Sequence, residues 1–415
     1  MLFSSLITLG LVTAGLSSPT PWRGPHGHDA AKKVIYFLNV DPSGSSVVAI
    51  EVGHNGMLMN STAVTSTEGT GSQAINQTAI PEAPVTADPL QGQDAVTVVG
   101  NYLFTVNSGS DTAVMYRIDP ANPLHLEMVG KPMSTLGEVA MSIAYSAKLE
   151  KACVLNGGAL NGVTCFCVDA KRGLVPDGVG LRKLGLNSTT PVQFVGEKGS
   201  GSDIRFTPGS EKLVATFKGD NMPATLGHIL VFDVSGQGEV ATKGTDNQVS
   251  PLAAPFGFVF DPNEPDLMLI SDINFGGVLA KLDYETNGAS LVKVQNSSTF
   301  AASCWAAYSS GTNMSYLISA MAPNFGKVDP VSGDLGGFVT FPKSLGGAFD
   351  TIIDGTTAYF LSGTSAIGVL DVASGALLQS FDYSGSDRHF WTGMAIYPNG
   401  EGYGHGKGHG GHGGW

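Results

Sequence analysis

One phrase recurs seven times along this chain: an apolar-alternating run, a Gly/Pro/Asp/Asn turn, then a second apolar run. The copies occupy residues 94–106, 139–156, 201–217, 254–272, 301–320, 347–363 and 391–400. Their starts lie about 45–60 residues apart, the period of a four-stranded sheet repeated around an axis. A β-propeller holds about 4–8 such sheets. The repeat therefore predicts an all-β, seven-bladed propeller with four-stranded antiparallel blades. No long stretch carries a 3.6-residue period, so helices should be few.

The ends of the repeat predict how the ring closes. VIYFLNV and SSVVAIEV (34–40 and 45–52) read as middle strands of a blade that lacks an inner strand. TGMAIYPNG (392–400) reads as an inner strand that lacks partners. Joining them leaves no open sheet edge, so the N- and C-terminal strands should share one blade. The organisation expected is a signal peptide over 1–18, a flexible Pro/Gly/His-rich segment over 19–32, the propeller over 33–400, and a flexible Gly/His tail over 401–415.

The chain of 415 residues has formal net charge −13 and only 14 % charged residues. An acidic protein without a basic patch is a poor partner for nucleic acid. The N-terminal apolar run is of signal-peptide length, and no other stretch is long and apolar enough to span a bilayer. Asn60, Asn76, Asn187, Asn296 and Asn313 each open an Asn-x-Ser/Thr sequon, the acceptor pattern for N-glycosylation. Together these predict a secreted glycoprotein, extracellular or in a cell wall, and a monomer.

Cys153 ends one strand and Cys165 and Cys167 lie on the next, so the hairpin can set Cys153 opposite either. The pairing expected is Cys153–Cys165, with Cys167 and Cys304 as buried thiols. No His cluster lies near them, and no cofactor or metal centre is expected. Asp41–Ser45 and Asn107–Asp111 read as hairpin turns rather than calcium loops. His405, His409 and His412 of the tail read as solvated.

In a propeller the inner-strand starts and the loops between strands two and three emerge on one face, at the channel mouth. Those positions hold the candidate ligand-binding residues Asp203, Lys218, Asp272, Asn274, Trp305, Asp350 and Trp391. Arg205, Arg388 and His389 are the candidate catalytic residues. A mouth dominated by Asp94, Asp203, Asp272 and Asp350 would repel a polycarboxylate. No Gly-x-Ser-x-Gly elbow, Walker loop or His-Glu-x-x-His motif is present.

YLFTVNSGSDTAVMYRID (102–119), MSIAYS (141–146), CVLNGGALNGVTCFCVD (153–169) and SDIRFTPGSEKLVATFKG (202–219) resemble the lactonase-type seven-bladed propellers. That family includes bacterial 6-phosphogluconolactonases and the fungal 3-carboxy-cis,cis-muconate cyclase. The likeness is greatest to secreted fungal glycoproteins labelled 3-carboxymuconate cyclase-like, and it covers residues 33–400. It implies action on a small lactone or its open acid, with Arg and His near the inner-strand starts and a carboxylate at the mouth. Here Ser202 stands in the Arg place, Asp203 in a His place and Met141 in another, and Lys218 follows the second strand where the carboxylate belongs. Arg205, Lys218, Arg388 and His389 are left to bind an anion and move protons. The alternative is a non-catalytic extracellular protein that binds a glycan, a peptide or a host partner.

Overall fold

A computed structural model describes residues 32–399 except 77–79, 82, 86, 189–197 and 222. The expected signal peptide, the tail and most of the lead-in lie outside the described residues, as does the side chain of Asn76.

The architecture is the expected seven-bladed propeller. The first blade orders its strands Leu58–Ser66, Ser46–Val52, Lys33–Asn39 and Trp391–Tyr397, from rim to axis. The chain ends therefore meet in one sheet: Ile35 pairs with Ile396 and Tyr36 with Ala395. The inner strands of the remaining blades are Val96–Val99, Ala140–Ser146, Gly201–Phe206, Pro255–Phe260, Ser303–Ser309 and Ala348–Asp354. Every blade is antiparallel. Helix is confined, among the described residues, to the single 3-10 turns Lys343–Leu345 and Arg388–Phe390.

Each sheet is covered on both faces by its neighbours, which explains why the second strands read as apolar runs rather than alternations. Lys151–Asn156, Lys212–Phe217 and Leu267–Asp272 are buried at every position. Aromatic rings bridge adjacent blades. Phe104 meets Tyr145 at 4.4 Å, Phe256 meets Trp305 at 5.4 Å and Trp305 meets Phe349 at 5.2 Å. Such pairs add about 0.5–1.5 kcal/mol each beyond area burial.

A disulfide joins Cys153 to Cys165 across its hairpin. Cys304 is a buried thiol. Cys167, expected to be buried, is exposed. Two residues beyond Cys165 the strand nears its outer end, and Lys151 Nζ donates to its sulfur at 3.4 Å.

One irregularity recurs near the axis. The inner strands of six blades carry a register shift close to their start, around Met141, Ser202, Phe256–Gly257, Cys304, Asp350 and Gly393. A bulge leaves a residue out of the ladder and re-aims its side chain and its backbone groups. These bulges ring the channel at one level and set up the site described next.

Candidate functional site

Among the described residues between Ser66 and Val96 no strand joins a blade; Ile75–Asn76 pairs with Ala83–Pro84. The end of this connection, Asp88–Asp94, enters the channel and bonds to the walls around it. Asp88 Oδ1 accepts from Thr392 Oγ1 at 3.2 Å, on the closing blade. The Gln91 carbonyl accepts from Lys218 Nζ at 2.8 Å, on the fourth blade. The Gly92 carbonyl accepts from Trp305 Nε1 at 3.4 Å, on the sixth. Gln93 N donates to the Ser202 carbonyl at 2.8 Å, a backbone group at the fourth blade's bulge. The Gln93 side chain accepts from Ala306 N and donates to Ala306 O, both at 3.1 Å.

This strap closes the channel at the level of the bulges, on the face where the inner strands begin. A buried backbone group left unpaired costs free energy comparable to a lost hydrogen bond, and the strap supplies the partner for the Ser202 carbonyl at the fourth blade's bulge. Its close fit requires glycine at two points. A Cβ on Gly92 would lie 2.7 Å from the Ser202 carbonyl oxygen, and one on Gly257 would lie 1.8 Å from Gln93 Oε1.

Two charged clusters flank the strap. In the first, Arg205 bridges Asp94 through Nη2 at 2.8 Å and Asp203 through Nε at 3.2 Å. Asp203 is fully buried and also accepts from Phe258 N at 3.1 Å and from Ser142 Oγ at 3.3 Å. Burial raises both carboxyls and Arg205 opposes the rise, leaving Asp94 pushed up to about 8. In the second, Asp88 and Asp350 converge on Thr392, and the Arg388 charge acts on both carboxyls. Burial pushes Asp88 up to about 7 against Lys218 and Arg388. Burial and the neighbouring Asp88 hold Asp350 well above the usual carboxylate range. Burial brings Arg388 down to about 10.

Below the strap the channel widens into a cavity of about 140 Å³ toward the face where the inner strands end. Val98, Ile204, Phe206, Val259, Ile353 and Ile396 are among its walls. At its inner end stand Arg205 and Asp94, whose side chains are 19 % and 20 % exposed. Apolar walls converging on a few polar groups, with a carboxyl titrating near neutrality, are the general marks of a ligand site.

The structure separates the residues read from the sequence. Arg205 and Asp203 stand together in the first cluster, and Arg388 and Asp350 in the second. Lys218 is buried, donates to the carbonyls of Gln91 and Gly201 and to Ser200 Oγ, and sits 4.7 Å over the Phe256 ring. Asp272 accepts from Ala253 N, Ala254 N and Asn274, so Asp272 and Asn274 shape a turn. Trp305 and Trp391 are buried in the aromatic core. His389 does not share a site with Arg388: it is half-exposed and pairs with Asp387 at 3.0 Å, while Arg388 turns inward to the Ser362 carbonyl. Asn60, Asn187, Asn296 and Asn313 are all exposed.

Asp88 and the strap are what residue-by-residue reading missed. The available signal was a connection far longer than the others, because long structureless connections are usually functional or linkers.

No family profile and no curated protein matches this sequence. Solved structures do match its fold. A periplasmic gluconolactonase from Pseudomonas aeruginosa aligns with TM-score 0.61 at 13 % identity, over 88 % of this chain and 99 % of that one. A putative 6-phosphogluconolactonase from Bacteroides fragilis aligns with TM-score 0.59 at 13 % identity, over 90 % and 99 %. Another from Bacteroides uniformis gives 0.57 at 12 %, over 88 % and 99 %. These structures share this chain's fold, the seven-bladed propeller.

Proposed function

We propose that this protein is a secreted glycoprotein that hydrolyses a small, largely uncharged lactone in the lower channel. The observation that carries this reading is the Asp94–Arg205 pair, 2.8 Å apart and partly exposed at the inner end of an apolar cavity. A water beside Asp94 would attack the lactone carbonyl and give its proton to the carboxylate. Arg205 would hold the developing oxyanion, whose favourable placement is worth several kcal/mol in such sites. The carbonyl–ring oxygen bond then breaks, the ring oxygen takes the proton back, and a hydroxy acid leaves. Asp94 and Asp203 around one guanidinium keep one carboxyl protonated near neutrality, so the site can both take and give a proton.

The charge balance argues against a tricarboxylate substrate. Arg205 is the one Lys or Arg among the described residues lining the cavity and it faces two aspartates, so the three carboxylates of such a substrate would find no matching positive charge there. The direct test is turnover of a panel of neutral γ- and δ-lactones beside 3-carboxymuconate. Hydrolysis of a neutral lactone with no ring closure of the tricarboxylate supports the proposal. Ring closure alone overturns it.

A second reading is a non-catalytic extracellular binding protein. It is favoured by the strap, which shuts the face where a mouth-bound ligand would sit, and by the rim strand Gly288–Asn296, which exposes Leu291, Val292 and Val294. Absence of turnover on every lactone tested, with the fold intact, would select it.

A further inference from the structure

Among the contacts that hold the strap, the one at Asp88 depends on protonation. We propose that Asp88–Asp94 is a proton-operated latch, which keeps the upper channel mouth shut while the Asp88–Asp350 pair holds a proton and releases it when that proton leaves.

The argument starts from one hydroxyl. Thr392 Oγ1 lies 3.2 Å from Asp88 Oδ1 and 3.4 Å from Asp350 Oδ2. A hydroxyl has one hydrogen to donate, so it can serve only one carboxylate at a time. Two ionised carboxylates would leave one facing an oxygen lone pair. A proton on either carboxyl completes the chain, because that acid then donates to the hydroxyl while the hydroxyl donates to the other. Asp88 Oδ1 also accepts from Gln91 N at 3.0 Å and Asp350 from the Gly393 backbone, but at 3 % and 2 % exposure water cannot supply the further donor that the second charge would need.

The surrounding charges do not remove this requirement. Arg388, from the turn before the closing strand, and Lys218, from the fourth blade, face Asp88. Arg388 also acts on Asp350, as does Asp94 at the far end of the strap, which is itself paired with Arg205 beside Asp203. Lys218 already donates to Gln91, Ser200 and Gly201, and Arg388 to Ser362 and Trp391.

When the proton leaves, the two ends of the contact respond differently. Asp350 is the bulged residue of the strand Ala348–Asp354, held on both sides by the ladder pairs Phe349–Leu361 and Thr351–Phe360. Asp88 sits in a loop whose backbone is already under tension: Asp88, Gln91 and Asp94 have φ of 47°, 55° and 59°. Left-handed backbone at non-glycine residues persists only while its surroundings hold it, and such residues gather at switch regions. Asp88 is therefore the end that moves. Its departure frees the strap's grip on Ser202 and Ala306 and joins the lower cavity to the upper face. The latch is independent of whether the lower cavity is catalytic.

Hydrogen exchange on the full chain from pH 5 to pH 8, corrected for the intrinsic rate, tests it. Opening that releases one proton makes the opening constant rise about tenfold per pH unit between the open-state carboxyl value and the closed one. The protection of residues 88–95 should fall by that factor per unit up to about pH 7 and then level off. The buried strand Leu267–Asp272 should keep its protection. Asp88→Asn and Asp350→Asn each supply a permanent donor and should each abolish the slope. Flat wild-type protection, a slope shared with the blade strands, or a slope that survives both substitutions would overturn the latch. If neither variant folds, the wild-type profile decides alone.

Discussion

Gln93 pairs its side-chain amide with both backbone groups of Ala306, 213 residues further along the chain, and so ties the strap to the opposite wall of the channel. Ala306 lies on the axis-facing edge of the sixth blade, and this contact supplies partners for its N–H and C=O there. Replacing Gln93 by Ala leaves a buried N–H and C=O without partners, at about 1–3 kcal/mol for each group. Gly257→Ala attacks the same contact from the wall, since its Cβ would overlap Gln93 Oε1. Both variants are expected to unfold at lower denaturant by roughly 2 kcal/mol, and their double mutant is expected to be far from additive, because they break one contact. Additive losses would mean that the two residues act separately.

Stability should rise on acidification from pH 8 to pH 5. Burial raises the native pKa of Asp88, Asp94, Asp203, Asp272 and Asp350. A carboxyl raised in the native state stabilises the fold fully below its unfolded value of about 4, and that stabilisation is lost as pH rises through the native value. With Asp88 and Asp94 at about 7 and about 8, the loss falls between about pH 4 and pH 8. Urea titrations should show a difference on the order of 3 kcal/mol in favour of pH 5. Greater stability at pH 8 would show that these groups are ionised in the native protein.

The cysteines should differ sharply in reactivity. Cys167 is exposed and should react with a maleimide in the native protein, whereas buried Cys304 should react only on unfolding. Replacing Cys153 and Cys165 by Ala should cost about 3 kcal/mol by the chain-entropy estimate for a loop this short. Native labelling at Cys304 would contradict the packing of the sixth blade's inner strand.

Ring closure is the mechanical basis of the fold. Removing residues 391 onward strips the closing blade of its inner strand and opens two sheet edges. That truncation should abolish cooperative melting. A truncated protein that melts at the parent temperature would show that the terminal pairing contributes nothing.

The repeat, the closing blade and its partners were legible because sheet period and turn chemistry are local properties of sequence. The contents of the channel were not. Arg205 reads from the sequence as a catalytic candidate, but nothing local shows that it bridges Asp203 and Asp94. Asp94 was noted only as part of an acidic mouth, and Asp88 not at all, because its burial depends on a strap that crosses the ring. Arg388 and His389 are adjacent in the sequence, but a 3-10 turn sends one inward and the other to solvent. Contacts between residues hundreds apart leave no period to read.

The most direct test of the catalytic proposal is the steady-state kcat/KM of wild type, Asp94→Asn and His389→Ala on whichever neutral lactone the panel identifies. Removing a general acid–base group costs about 10²- to 10⁴-fold. Asp94→Asn should fall by that amount with its thermal melting intact, and His389→Ala should match wild type. Unchanged turnover in Asp94→Asn, or its loss in His389→Ala instead, would contradict a site at the inner end of the lower channel.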